Sequence, residues 1–203
     1  MLLVESYNNL LNMLHDRYGS DEHIVCLLFA DPMNEDEIGR YITNRFDYLH
    51  ERSGKYVDFF CVGYNSTNKK RKFKIKDYVE FINQLEELTT WRYYGGTNLL
   101  FLRYSDYNLQ FDCVYDLNLT RMLIEGLIKD YRYFLEEIIY NLRQGFDEYL
   151  SEKRGETQLR SIWNNFSEML PNFARGIINQ INDSQKINKY LSPHDIRREI
   201  FPY

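Results

Sequence analysis

Apolar positions along the chain fall into two kinds of stretch, rows at helical spacing and short continuous runs, and these alternate. Leu3, Tyr7, Leu10, Leu11, Leu14 and Tyr18 form a helical row, with Gly19 placed to end it in a left-handed cap. His23 to Ala30, HIVCLLFA, is a continuous run closed by Asp31-Pro32 and predicts a buried strand. Asn34 followed by Glu37 has the spacing of an N-cap with a capping box, and Ile38, Tyr41, Ile42, Phe46 and Leu49 give the next helix one apolar face. That helix leads to Lys55–Tyr64, KYVDFFCVGY, the expected central strand. Val57, Phe59 and Cys61 take one side of it, and Phe60, Val62 and Tyr64 the other. Such a strand needs cover on both faces, and only Asp58 interrupts the pattern. Gly63 fits a close backbone approach where the strand leaves the sheet.

Beyond it, 65–70 (NSTNKK) reads as a loop, and Phe73 and Ile75 turned inward between basic residues predict a brief charged edge strand. Asp77 is placed to cap a helix carrying Tyr78, Phe81, Ile82, Leu85 and Leu88, which should stop before Trp91 and the Gly95-Gly96 turn. Two strands follow, Asn98–Tyr104 and Asn108–Leu117, joined closely enough for an antiparallel hairpin. Asn118 to about Gln144 is expected to be one long helix, apolar through Leu123, Leu127, Ile128, Phe134, Leu135, Ile138, Ile139 and Leu142. Its cover would come from Leu159, Ile162, Trp163, Phe166, Met169 and Leu170. Pro171 would then open a further helix bearing Phe173, Ile177, Ile178 and Ile181, with a last short turn at Ser192-Pro193. No repeat or low-complexity segment appears.

The fold class is therefore α/β, with residues 1–144 as the core and 145–203 as a helical extension packed on it. From about Glu22 to Gln144 the order of elements resembles the thioredoxin-like fold, a mixed sheet flanked by helices, here with an added N-terminal helix. A redox member would carry CxxC after the first strand, where this chain has Ala30-Asp31-Pro32-Met33-Asn34. The place of its cis-proline holds Gly95-Gly96-Thr97. The resemblance thus implies a fold and no dithiol chemistry. The helical extension is similar in outline to that of glutathione transferases, but without the proline their glutathione site does not carry over.

Composition narrows the chemistry. Lys and Arg number 25 against 30 Asp and Glu, a net charge of -5, which opposes general attraction to nucleic acid or anionic lipid but permits a local basic site. Cys26, Cys61 and Cys113 each sit in an apolar run, as buried small hydrophobes rather than a disulfide framework. No apolar run approaches membrane length, and MLLVESYNNLL lacks the marks of a signal peptide, so a cytoplasmic location is expected. A bias toward Asn, Ile, Lys and Tyr suits an AT-rich bacterial genome. Nucleotide, zinc, esterase and calcium motifs are absent, as is any acidic-x-Lys half-site of a nuclease, and no metal or cofactor is expected.

Two sets of residues are candidates for chemistry. His50, near a helix end, with Asp58 on the central strand would make a His–Asp pair; the plainer alternative pairs Asp58 with Arg52 or Lys55. Lys69, Lys70, Arg71, Lys72, Lys74 and Lys76 form the one dense basic run, able to hold phosphate or to protect a sheet edge, with Trp91, Tyr93 and Tyr94 near enough to stack on bases. The first expectation is a non-catalytic interaction or accessory protein of the bacterial cytosol. It would bind another protein or itself through the helical extension and the row Leu3, Tyr7, Leu10 and Leu14. A nucleotide- or nucleic-acid-binding protein using residues 69–76 is the alternative, and an enzyme with a site near His50 and Asp58 the third reading.

Overall fold

The computed structural model describes residues 2–30, 37–53, 57–67, 70–152, 162–178 and 184–198. In chain order the elements are β1 (Leu2–Val4), α1 (Tyr7–Tyr18), β2 (His23–Phe29), α2 (Glu37–Asn44), α3 (Phe46–Ser53), β3 (Val57–Val62), β4 (Tyr64–Thr67) and β5 (Lys70–Phe73). There follow α4 (Ile75–Leu88), β6 (Asn98–Ser105), β7 (Asn108–Asn118), α5 (Leu119–Ile124), α6 (Tyr131–Glu152), α7 (Ile162–Ile177) and α8 (Ser184–Leu191). Five strands form a mixed sheet in the order β1-β3-β2-β6-β7. The first three are parallel, and β6 and β7 form an antiparallel hairpin on the other side of β2. Strands β4 and β5 make a separate two-stranded sheet.

Every residue of β2 and β3 is buried, because both faces of the sheet are covered. On one face Val25, Leu27, Phe29, Phe60 and Val62 pack with Leu10 and Leu14 of α1 and with Phe81 and Leu85 of α4. On the other, Cys26, Leu28, Phe59 and Cys61 share a cluster with α2, α3, α5, α6, α7 and α8. The α/β class expected from the sequence is present, but the strand expected to be central, β3, stands second in the sheet and β2 takes the middle, while Tyr64 belongs to β4.

Several elements depart from expectation. Leu3 belongs to β1, not to the first helix, and Leu10 and Leu14 are wholly buried against the sheet. The helix after β2 is broken at Arg45, and its apolar spacing continues across the break, so periodicity could not reveal it. Lys74, not Asp77, occupies the N-cap of α4, without a side-chain cap, and Ile75 is 48% exposed on that helix instead of turned inward on a strand. The long helix is two: Gly126 takes φ 75°, and Asp130 restarts the chain by accepting hydrogen bonds from the backbone N–H groups of Arg132 (2.8 Å) and Tyr133 (3.4 Å). Helix α6 then passes unbroken through position 145, where a Cβ would meet Met169 Sδ at 2.6 Å. Gly145 is a point of close helix approach, and the helices after it share the cluster that covers the sheet. The last described segment lies along β7, with His194 and Val114 exchanging backbone hydrogen bonds. The expected cap at Asn34, and Lys55, Leu159 and Ile181, lie outside the described residues.

Pro171 does not open a helix; it sits inside α7. Having no N–H, it leaves the Ser167 carbonyl four residues back without its helical donor. The Tyr115 hydroxyl, from β7, donates to that carbonyl at 3.1 Å. The sheet thus supplies a donor in place of the one the proline removes. Tyr115→Phe is expected to cost about 1 kcal/mol in chemical denaturation, and distinctly less in a Pro171→Ala background, where the helix supplies its own donor. Equal costs in the two backgrounds would show that the bond carries no such compensation.

Candidate functional site

Asp58 is the one charged residue within the central strands, 8% exposed, and it lies opposite Val25 on the α1 side of the sheet. Its partners come from the end of α1 and the start of β2. Ser6 caps α1 by accepting from the Asn9 N–H at 3.1 Å, and Gly19 (φ 57°) ends it, which leaves Arg17 and Tyr18 in the last turn over the mouth of β2 and β3. Arg17 donates to Asp58 Oδ2 at 2.9 Å and the Tyr18 hydroxyl donates to the same oxygen at 2.6 Å. His23, 6% exposed, stacks on Tyr18 with ring centres 3.8 Å apart, and its Nε2 lies 3.8 Å from Asp58 Oδ2 with no hydrogen-bond partner. Burial drives the His23 pKa down to about 4; Asp58 opposes this and Arg17 adds to it. Burial, then the bond to Asp58, pushes the Tyr18 hydroxyl up. At neutral pH the histidine is therefore an uncharged ring filling the space beside an ion pair. The cluster joins helix to sheet, and its polar atoms face one another.

His50 lies on α3, whose Phe46 and Leu49 pack on the opposite face of the sheet from Asp58. The helix that carries His50 thus covers the other face of the sheet from the one Asp58 is on. Arg52, the other expected partner of Asp58, instead reaches Glu136 on α6 at 3.4 Å, where the Tyr41 and Tyr48 hydroxyls also bond, and its guanidinium lies over the Tyr48 ring at 5.2 Å. The alternative partner Lys55 is outside the described residues. The sequence pattern assigned Tyr18 to an apolar row and His23 to a strand, and connected neither, nor Arg17, with Asp58. The available signal was a last-turn Arg-Tyr pair six and five residues before β2 opens at His23, and a lone carboxylate on β3.

A second polar group gathers where β6 begins. The Trp91 indole donates to Asp116 Oδ2 at 2.9 Å, and Oδ1 of that carboxyl is covered without a partner. Burial raises the Asp116 pKa. Tyr78 donates to the Tyr93 hydroxyl and Tyr93 to the Gly96 carbonyl, each at 2.7 Å, while Asn118 donates to the Gly95 carbonyl at 3.1 Å. Gly96 takes φ 76°, and a Cβ there would meet Thr120 Cβ at 2.6 Å. Of the three aromatics considered for stacking, Trp91 is 5% and Tyr94 76% exposed, and Tyr93 is half-buried.

The basic run is divided. Lys70 to Lys72 belong to β5, Lys74 is the cap of α4 and Lys76 lies in its first turn, so the expected alternation along one strand ends at Phe73. Lys72, Lys74 and Lys76 are exposed, and Lys74 lies 3.4 Å from Glu5 and 3.3 Å from Asp77. Lys69 and the side chains of Lys70 and Arg71 are outside the described residues. All three cysteines are free; Cys26 and Cys61 are buried and Cys113 is half-buried. Burial holds the Cys26 thiol well above its ordinary pKa. Among the described residues no group of three or more His, Cys, Asp or Glu side chains could hold a metal, and no helix is long and apolar enough to cross a membrane. No family model matches the chain, and no curated protein or solved structure matches it significantly.

The geometry around Asp58 carries a pH signature. Unfolded, His23 takes its proton near pH 6.5; folded, it does so near 4. Its contribution to stability is thus complete above pH 6.5 and disappears as pH falls toward 4, a loss of about 3 kcal/mol. Denaturation midpoints at pH 7 and pH 4.5 should diverge strongly for the wild type and less for His23→Phe, which keeps a ring against Tyr18. An undiminished difference in the variant would place the acid sensitivity elsewhere.

Proposed function

We propose that the protein is a non-catalytic interaction or accessory protein of the bacterial cytosol, built on a redox-inactive thioredoxin-like framework. The observation that carries this reading is the outer side of α4. Ile75, Val79 and Ile82 follow one another at helical spacing in a single row, and the first two remain 48% and 45% exposed although Ile82 is 8% exposed. Exposed aliphatic side chains continuing a buried row are what a docking face provides. Two further features agree with it. Asp58 is held by internal partners, and Cys26 and Cys61 lie inside the sheet, closed off from solvent. The thioredoxin-like framework is supported by the parallel pair β2 and β3, linked through helices and followed by the antiparallel hairpin β6 and β7.

The row on α4 replaces Leu10 and Leu14 as the contact surface, since those are used up against the sheet. With a photoreactive residue at position 79, one defined protein, a second copy of this chain included, should be captured. Purified, it should bind the Ile75→Glu, Val79→Glu double variant at least 10-fold more weakly than the wild type. A partner that binds both alike would remove α4 as the surface, and the absence of any specific partner would remove the reading.

A second reading, binding of nucleotide or nucleic acid through residues 69–76, is favoured by the exposure of Lys72 and Lys76 on either side of the α4 cap. Phosphate binding there would be weak in sequence preference and would fall steeply with salt. Lys72→Glu with Lys76→Glu should abolish any retention of DNA, RNA or ATP at low salt. Retention unchanged by the pair would exclude this segment.

A further inference from the structure

On the other flank of α4 from Val79 a cleft of about 310 Å³ opens against α1, lined by Tyr7, Asn8, Gln84, Glu87 and Leu88. Its walls are of mixed character. Tyr7 and the 48% exposed Leu88 are apolar, Asn8 and Gln84 bring amides, and Glu87 is the only charged group lining it among the described residues. The carbonyl Oε1 of Gln84 is covered and has no hydrogen-bond partner. An acceptor left unmet in this way favours any donor it can turn toward.

Along the two helix stretches that form the cleft, acidic residues predominate. From Asp77 to Leu88 the chain carries Asp77, Glu80, Glu86 and Glu87 and no Lys or Arg, and α1 has none before Arg17. The guanidinium groups of Arg92 and Arg198 both reach the backbone carbonyl of Glu86, at 3.0 and 3.1 Å. A neutral apolar occupant would leave Glu87 and Gln84 unused, and an anion would meet the carboxylate. A long aliphatic stem ending in a positive charge uses every wall.

We infer that the cleft between α1 and α4 receives a lysine side chain presented by a partner protein. The stem lies along Tyr7 and Leu88, and the ammonium group meets Glu87 while Gln84 turns its carbonyl to it. A compact ammonium with freely directed donors suits one carboxylate and one amide better than the planar fork of arginine, which seeks a bidentate partner. This rests on the interaction reading and adds the chemistry of the partner.

The test is an amide NMR titration of the full chain with Nα-acetyl-lysine methylamide, compared with the same compound acetylated at Nε. The charged probe should give saturable shifts at Asn8, Gln84 and Leu88, the Nε-acetylated one should not, and Glu87→Lys should weaken binding at least 10-fold with the rest of the spectrum unchanged. No saturable shifts, equal response to both probes, or full binding by Glu87→Lys would overturn the inference. A partner lost on Val79→Glu but bound fully by Glu87→Lys would also overturn it, while leaving the interaction reading in place.

Discussion

Two adjacent parallel strands that are apolar on both faces impose the rest of this structure. Strands β2 and β3 contribute thirteen consecutive-in-sheet positions with every side chain buried, so neither face of the sheet can meet water. Uncovered, a buried-type aliphatic side chain forfeits about 1.5–3 kcal/mol, and no single helix spans both strands on both sides. The chain answers with α1 and α4 on one face and six helices on the other. Asp58 is the point at which this requirement meets a charge, and the last turn of α1 supplies the cation and the phenol that make its burial tolerable. The same turn thus closes the helix, opens β2 and neutralises the strand beside it.

The larger helical layer is bound to the sheet by more than apolar contact. Tyr115 sends its hydroxyl from β7 into α7 at the carbonyl that Pro171 leaves open, and Phe166 of α7 packs its ring 5.2 Å from Phe101 of β6. Gly145 brings α6 close to Met169 and Phe173 of α7, where a Cβ would displace the end of the Met169 side chain. The final segment pairs with β7 at Val114. These contacts make the C-terminal helices the cover of the sheet's second face, while α4 on the first face keeps part of its apolar surface outside.

What was legible in the sequence was whatever depends on neighbours along the chain. The runs 23–30 and 98–104 announced strands because continuous apolar stretches of that length fit little else, and Gly19 announced the end of α1. Breaks at Arg45 and Gly126 stayed hidden because Ile42, Phe46 and Leu49, and again Leu123, Leu127 and Ile128, keep helical spacing across them. Asp58 stood out as an anomaly, but naming its partners required knowing that β2 lies beside β3 and that α1, not α3, covers that face. His50 was attractive by sequence proximity, and its helix α3 covers the opposite face of the sheet from Asp58. The basic run was visible as composition, yet its geometry turned on whether Phe73 and Ile75 belonged to one strand, and the helix begins between them.

The central claim, that both helical layers and the sheet form one structure organised by β2 and β3, is tested most directly by native-state hydrogen exchange with increasing denaturant. Slowly exchanging amides of β2, β3 and β6 should share one opening free energy, equal to that of global unfolding, with the buried positions of α6 and α7 close to it. If α6 and α7 instead open together at a much lower free energy while the sheet remains protected, the helical layer is a separable unit and the account is wrong.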